Sequence, residues 1–211
     1  MDINRQLEEE TASPEVIEEV TIRFAGDSGD GMQLTGSRFT IESAFQGNDL
    51  ATQPDFPAEI RAPAGSLPGV SAFQIRIGSV EISTAGDDLN VLVAMNPAAL
   101  KTNLKDLKQN GILICNEDAF SANNLRKAAY EENPLEDDEL KNKYTVVTCP
   151  ITTLALEAVK EFGLPTKIAN RCKNFFALGM VYWLFSRPME NTEAWLKKKF
   201  ARKPALAEAN I

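Results

Sequence analysis

The chain contains no histidine. That absence excludes Ser-His-Asp and Cys-His nucleophilic catalysis, histidine general bases and histidine metal ligands in one step. Cysteine is scarce: Cys115, Cys149 and Cys172 lie far apart, with nothing resembling CxxC or an iron–sulfur ligand run. They read as buried free thiols of a cytoplasmic protein. No apolar run approaches the roughly 20 residues of a membrane span. The longest, Phe175 to Phe185, predicts a buried or interface helix. The acidic N-terminus lacks an apolar signal segment, so the expected location is cytoplasmic, with no membrane partner. A basic surplus is missing too: the net charge of −8 argues against nucleic acid as a partner. What remains is 44% apolar and 25% charged over 211 residues, the composition of one folded domain with a real core.

The most informative stretch present is Val20 to Phe39, VTIRFAGDSGDGMQLTGSRF. Val20, Ile22 and Phe24 alternate with Thr21 and Arg23, as in a strand. Gly26, Gly29 and Gly31 follow, interleaved with Asp27, Ser28 and Asp30, and then a helical period opens with Leu34, Ile41 and Phe45. Glycines between a strand and a helix permit φ > 0 and close approach to bare N–H groups, which favours an anion such as a phosphate. GDSGDG is not a serine-protease nucleophile motif here, because no base partner exists. The spacing GxxGxG differs from the dinucleotide fingerprint GxGxxG, and no Walker lysine follows. Asp27 and Asp30 repel a phosphate unless a cation offsets them; Arg38 and Arg61 are the candidates. On these residues alone, an anion site and a tight structural turn stay open together.

Along the chain, residues 1–18 predict a mobile acidic tail; residues 2–19 carry seven of the acids. Strands are expected at about 20–25 and 49–53, with a helix over 32–46 between them. PDFPAEIRAPAGSLPG, residues 54–69, holds too much proline and glycine for a regular element; an ordered loop presenting Glu59 and Arg61 and a solvated crossing loop without a ligand both stay open. A strand over 71–78 is expected to pair with 80–83 as a hairpin through Gly78-Ser79. Leu89 to Met95 predicts a buried strand, and Asn96-Pro97 starts a helix with Leu100, Leu104 and Leu107 on one face, closed by Asn110-Gly111. A strand follows over 112–115, then a helix over 119–130 and an acidic surface insertion over 131–142. Strand 144–149 and helix 150–162 come next. A polar connection over 165–171 leads to a helix over 174–185, apolar on all sides and hence buried. The last helix, 192–200, is basic and amphipathic, and residues 201–211 read as linker. Alternating strands and helices predict an α/β fold, three layers α/β/α with a mostly parallel, mixed sheet.

These residues also match a family pattern. RFAGDSGDGM…TG resembles the opening of the gamma domain of 2-oxoacid:ferredoxin oxidoreductases. PAEIRAPAG, SAFQIRIGS, DLNVLVAMNPAAL, NGILICN and NFFALGMVYWL continue the resemblance over about residues 19–200. GDSGDGMQLTG with PDFPAEIRAP is most similar to the N-terminal part of the alpha subunit of 2-oxoglutarate-type enzymes. The resemblance implies a gamma domain over 19–200 and a linker stub over 201–211 leading to a thiamine-diphosphate-binding domain. It implies one part of an enzyme that oxidatively decarboxylates a 2-oxoacid, acylates coenzyme A and passes electrons to ferredoxin. Thiamine diphosphate, Mg and iron–sulfur clusters would sit in partner domains or subunits, the beta subunit among them. For this chain the resemblance implies coenzyme A contacts at Gly26, Ser28, Gly29, Gly31 and Arg61, no metal, and no acid, base or nucleophile of the decarboxylation. A free-standing nucleotide- or coenzyme A-binding domain and a non-catalytic assembly module stay open beside it.

Overall fold

The first strand runs over Glu19–Asp27 (β1) in the computed structural model, which describes residues 17–29, 31–59 and 62–211. Apart from Ile17 and Glu18, the tail expected over 1–18 lies outside the described residues. β1 is buried on both faces, with Val20, Ile22 and Phe24 on one and Thr21 and Ala25 on the other. Such a strand belongs inside a sheet. Six strands form one sheet of order β2-β3-β1-β4-β5-β6. Here β2 is Asp49–Asp55, β3 Val70–Gly78, β4 Leu89–Ala94, β5 Leu107–Asn116 and β6 Thr145–Cys149. β1, β4, β5 and β6 run parallel, while β3 pairs antiparallel with both β1 and β2.

The helices in chain order are α1 (Met32–Phe45), α2 (Pro97–Asn103), α3 (Ala122–Lys127), α4 (Asp138–Lys143), α5 (Ile151–Ala158), α6 (Thr166–Ala169), α7 (Lys173–Leu184), α8 (Glu190–Lys199) and α9 (Pro204–Glu208). α1, α5 and α7 cover one face of the sheet, where Phe24, Ile75 and Val93 meet Phe39, Ile151, Val181 and Tyr182. α2, α3 and α4 cover the other, where Leu92 and Leu113 meet Ala99, Leu100 and Leu140. The expected three-layer α/β/α fold with a mixed sheet is therefore present. Gly36 lets α1 lie directly on β3, since a Cβ there would stand 2.1 Å from Cδ1 of Phe73. Among the described residues no helix is long and apolar enough to cross a membrane.

α8 is held to α1 by a fully buried carboxylate. Glu42 accepts from the Asn191 side chain at 2.9 Å and from the backbone N–H and hydroxyl of Thr192 at 3.2 and 3.3 Å. The Thr192 N–H belongs to the first turn of α8, where negative charge is favoured. Tyr182 shares the Thr192 hydroxyl at 2.8 Å and stacks on Phe39.

Several elements differ from the sequence reading. Residues 80–83 form no strand. Instead β3 already has partners on both edges, and Ile82 is buried with its N–H on the Asp49 carboxylate at 2.8 Å. β2 extends through Pro54, which an edge strand tolerates. The helix from Pro97 stops at Asn103, and Leu107 opens β5 opposite Leu89. Residues 131–142 are not only surface, because Leu135 and Leu140 insert into the second core. The helix expected over 119–130 shrinks to Ala122–Lys127, and a short helix, α6, interrupts the polar connection. α7 is not buried all round: Val181 is fully buried, but Trp183 is 82% exposed. The stretch 201–211 is not plain linker, since α9 forms there with Ala207 and Ala209 buried.

Candidate functional site

Strand order decides where a ligand has room. β1 feeds α1 on one face and its parallel neighbour β4 feeds α2 on the other, so the chain parts in opposite directions at their carboxyl ends. In open α/β sheets that switch point is the usual binding crevice. Here it falls on the glycine turn. Met95 donates its N–H to the Ala25 carbonyl at 2.9 Å, which joins the ends of β1 and β4 beneath the turn.

The candidate glycines separate into two kinds. Gly26 is a packing glycine, since a Cβ there would lie 3.1 Å from Met32 Cγ and 3.3 Å from Met95 Cβ. Gly29 and Gly31 take φ of +86° and +99°, the left-handed region that favours glycine. Gly29 has nothing within 4 Å of its Cβ position, so its backbone is open to solvent. Gly31 is the N-cap residue of α1, and a Cβ there would stand 3.4 Å from the Asn174 side-chain nitrogen. The N-termini of α1 and α7 thus converge on one spot, and both favour negative charge. Ser28 is exposed and donates its N–H to the Gly69 carbonyl at 2.9 Å. Asp30 and Arg61 lie outside the described residues, so the Arg61 expectation finds no structural account.

The described part of the proline-rich loop lies against the turn. Asp27 accepts the Gly65 N–H at 2.9 Å, and Lys127 donates to the Ala64 carbonyl at 3.0 Å. One oxygen of the Asp27 carboxylate is thereby tied to the loop backbone. Arg38 does not offset it: its guanidinium lies 4.2 Å from the Trp195 ring centre, and burial lowers its pKa.

Positive charge at the turn comes from residues the sequence reading did not single out. A cavity of about 550 Å³ is lined by Gly29, Thr166, Lys167, Asn170, Arg171, Lys173 and Asn174. A second, of about 460 Å³, shares Gly29, Arg171 and Asn174 and adds Gly31, Lys199 and Lys203. Five cations from the ends of α6, α7, α8 and α9 thus line the two cavities at the glycine turn in a chain of net charge −8, although Lys199 also stands 4.3 Å from the Trp195 ring centre, the ring that Arg38 covers. Gly29 and Gly31 line these cavities; Gly26 and Ser28 do not. The KxxxR…KKKFARK pattern was visible in sequence, but only the fold brings its halves, about 30 residues apart, to the turn. With two helix N-termini and five cations, the site fits a ligand bearing several phosphates.

Burial raises the thiol pKa values of all three cysteines, Cys115 up to about 12, and a protonated thiol is neither a good nucleophile nor a metal ligand. Among the described residues no three or more Cys, Asp or Glu side chains cluster to hold a metal ion.

Comparison with known proteins decides the family. The model of the pyruvate ferredoxin/flavodoxin oxidoreductase family matches residues 21–211. The chain belongs to that family. Over 195 residues it is 59% identical to the 2-oxoglutarate oxidoreductase subunit KorA of Mycobacterium tuberculosis, covering 92% of this chain but 30% of that subunit. The chain therefore spans about a third of the length of this curated relative. Solved structures share the fold. A 2-oxoglutarate:ferredoxin oxidoreductase from Magnetococcus marinus, with 2-oxoglutarate, coenzyme A and succinyl-CoA bound, superposes with a TM-score of 0.67 at 24% identity, covering 92% of this chain and 30% of that one. Pyruvate oxidoreductase subunit PORC from Thermotoga maritima gives 0.58 at 19% identity, over 92% of both chains. The gamma subunit of a keto/oxoacid ferredoxin oxidoreductase from Geobacter sulfurreducens gives 0.59 at 19%, over 90% of this chain and 94% of that one.

Proposed function

We propose that the chain is the gamma-domain portion of a 2-oxoglutarate-type 2-oxoacid:ferredoxin oxidoreductase, holding the phosphates of coenzyme A and supporting assembly without catalysing alone. Family membership and the 59% identical KorA subunit support the enzyme class. The observation that carries the ligand is the ring of cations around Gly29 and Gly31 at the switch point. Coenzyme A offers a pyrophosphate and a third phosphate, enough negative charge to engage Arg171, Lys173 and Lys199 together. Arg171 supplies the planar fork that suits a phosphate. The start of α1, whose N-cap Gly31 offers no side-chain cap, supplies uncharged donors.

Thiolate-bound iron–sulfur clusters do not fit the described residues, whose Cys115 and Cys149 lie on opposite faces of the sheet, and no acidic cluster there suits Mg. They belong to partner domains or subunits, together with the beta subunit and the ferredoxin that accepts the electrons. This chain's contribution is to bind and orient the acyl acceptor near a reaction carried out elsewhere. Two readouts test the reading. The chain alone is expected to reduce no dye with 2-oxoglutarate and coenzyme A; turnover by the pure chain would overturn the division of labour. Calorimetry should show tighter binding of coenzyme A than of adenosine diphosphate or NAD; the reverse order would make it a free-standing nucleotide-binding domain.

A further inference from the structure

A groove of about 520 Å³ lies on the face that carries α1, α5 and α7, and shares Cys172, Phe175 and Asn210 with the cavity at the glycine turn. Ile112 and Ile114 of β5 and Val147 of β6 floor it, with Ala158 of α5 and Met180 and Trp183 of α7 in its walls. Its lining side chains are apolar apart from Asn210, the Trp183 indole N–H and the Cys172 thiol. Trp183 is 82% exposed and Val147 39% exposed, although both belong to apolar stretches. The same face is filled by α1 and α7 over β1, β3 and β4. Over β5 and β6 the helical layer has a gap.

The strand beside this gap is also unguarded. The sheet's other edge, β2, carries Asp49, Pro54 and Asp55, which resist pairing with a foreign strand. β6 carries no charge between Tyr144 and Cys149 and exposes Thr145, Val147 and Thr148. An apolar groove joined to an uncharged sheet edge marks a partner surface.

We infer that this groove seats an amphipathic helix contributed by another part of the same oxidoreductase, a reading that rests on the proposed function. The 59% identical relative is about three times as long as the matched region, so most of such an enzyme lies outside this domain. The same fold also forms whole chains of about this size that are themselves subunits, so its partner surfaces work without a covalent link. A second copy is the poorer occupant, since two chains of net charge −8 repel. An added strand fits less well than a helix, because the groove opens over the sheet's face and not along its edge. A helix places its i, i+3, i+7 stripe into such a groove while its polar face stays wet.

The test uses Trp183→Lys and Val147→Lys, introduced both into this chain alone and into the assembled oxidoreductase that carries it. Each variant is expected to weaken assembly at least tenfold by sedimentation velocity. The isolated variant chains should keep the wild-type melting curve by circular dichroism and the wild-type affinity for coenzyme A. Unchanged assembly in both variants overturns the proposal. So does self-association of the wild-type chain that the substitutions abolish, which would make a second copy the occupant. New hydrogen-exchange protection of amides 145–149 on assembly also overturns it, in favour of strand addition. Failure of coenzyme A binding with an intact assembly defect would sink the ligand reading and leave this one standing.

Discussion

At the residue scale the glycine turn and the start of α1 combine two devices. Gly29 and Gly31 provide left-handed backbone, while Gly36, five residues on, provides contact between α1 and β3. Gly31→Ala is expected to cost about 1–3 kcal/mol through backbone strain alone. Gly36→Ala should cost about 1–3 kcal/mol by overpacking against Phe73. Urea denaturation of each variant measures this, and a loss under 0.5 kcal/mol at Gly36 would contradict the packing. The thiols and phenols set an alkaline limit. Burial raises Cys115 from 9.0 to about 12, and Tyr130 and Tyr182 from 10.0 to about 12. The unfolded chain therefore loses these protons first as pH rises. Their contribution to stability is complete below pH 9 and is lost as pH climbs toward 12. Denaturation midpoints should fall over that window and stay level from pH 7 to 8.5; a rise above pH 9 would contradict the burial.

At the element scale, Glu42 makes α8 part of the domain. Glu42→Gln turns an acceptor into a donor facing the Thr192 N–H, and should cost about 1.5–3 kcal/mol. Loss of helix 190–199 protection in hydrogen exchange, ahead of the rest of the chain, would be its signature; uniform destabilisation would count against a local staple. The legibility of elements followed the range of the forces that make them. β1, α1, β4 and α8 were readable because alternation, capping and apolar period are local. The extension of α2 to Leu107 misled because its period continues past the point where the chain leaves the helix. β5 opposes two steps of β4, Leu89 to Val91, with five of its own, Leu107 to Ile112, and Asn110 in left-handed conformation belongs to that irregularity. Asn-Gly there looked like a helix end because both situations ask for the same backbone. The hairpin at 80–83 failed because β1, about 50 residues away in sequence, had taken the edge of β3.

At the scale of the whole molecule, charge is segregated. Acids crowd residues 131–139, while Lys167, Arg171, Lys173, Lys199 and Lys203 gather at the glycine turn. The turn was legible as half a site, since its glycines are contiguous. Its cations were not, because α6 to α9 return to the turn only through tertiary packing. Asp27, which looked like an obstacle to phosphate, proves to be engaged by the Gly65 N–H. The same folding-back leaves Trp183 exposed in a groove that adjoins the cavity at the turn through Cys172, Phe175 and Asn210. The central claim, a phosphate cradle for coenzyme A built from the turn and these cations, is tested most directly by calorimetric titration of the isolated chain. One saturable site is predicted. It should weaken roughly ten- to hundredfold with Arg171→Ala, the loss of about 1.5–3 kcal/mol in a charged hydrogen bond. Binding should fall further with Lys199→Ala and with added salt. No binding at low salt, or affinity untouched by both substitutions, would contradict the account.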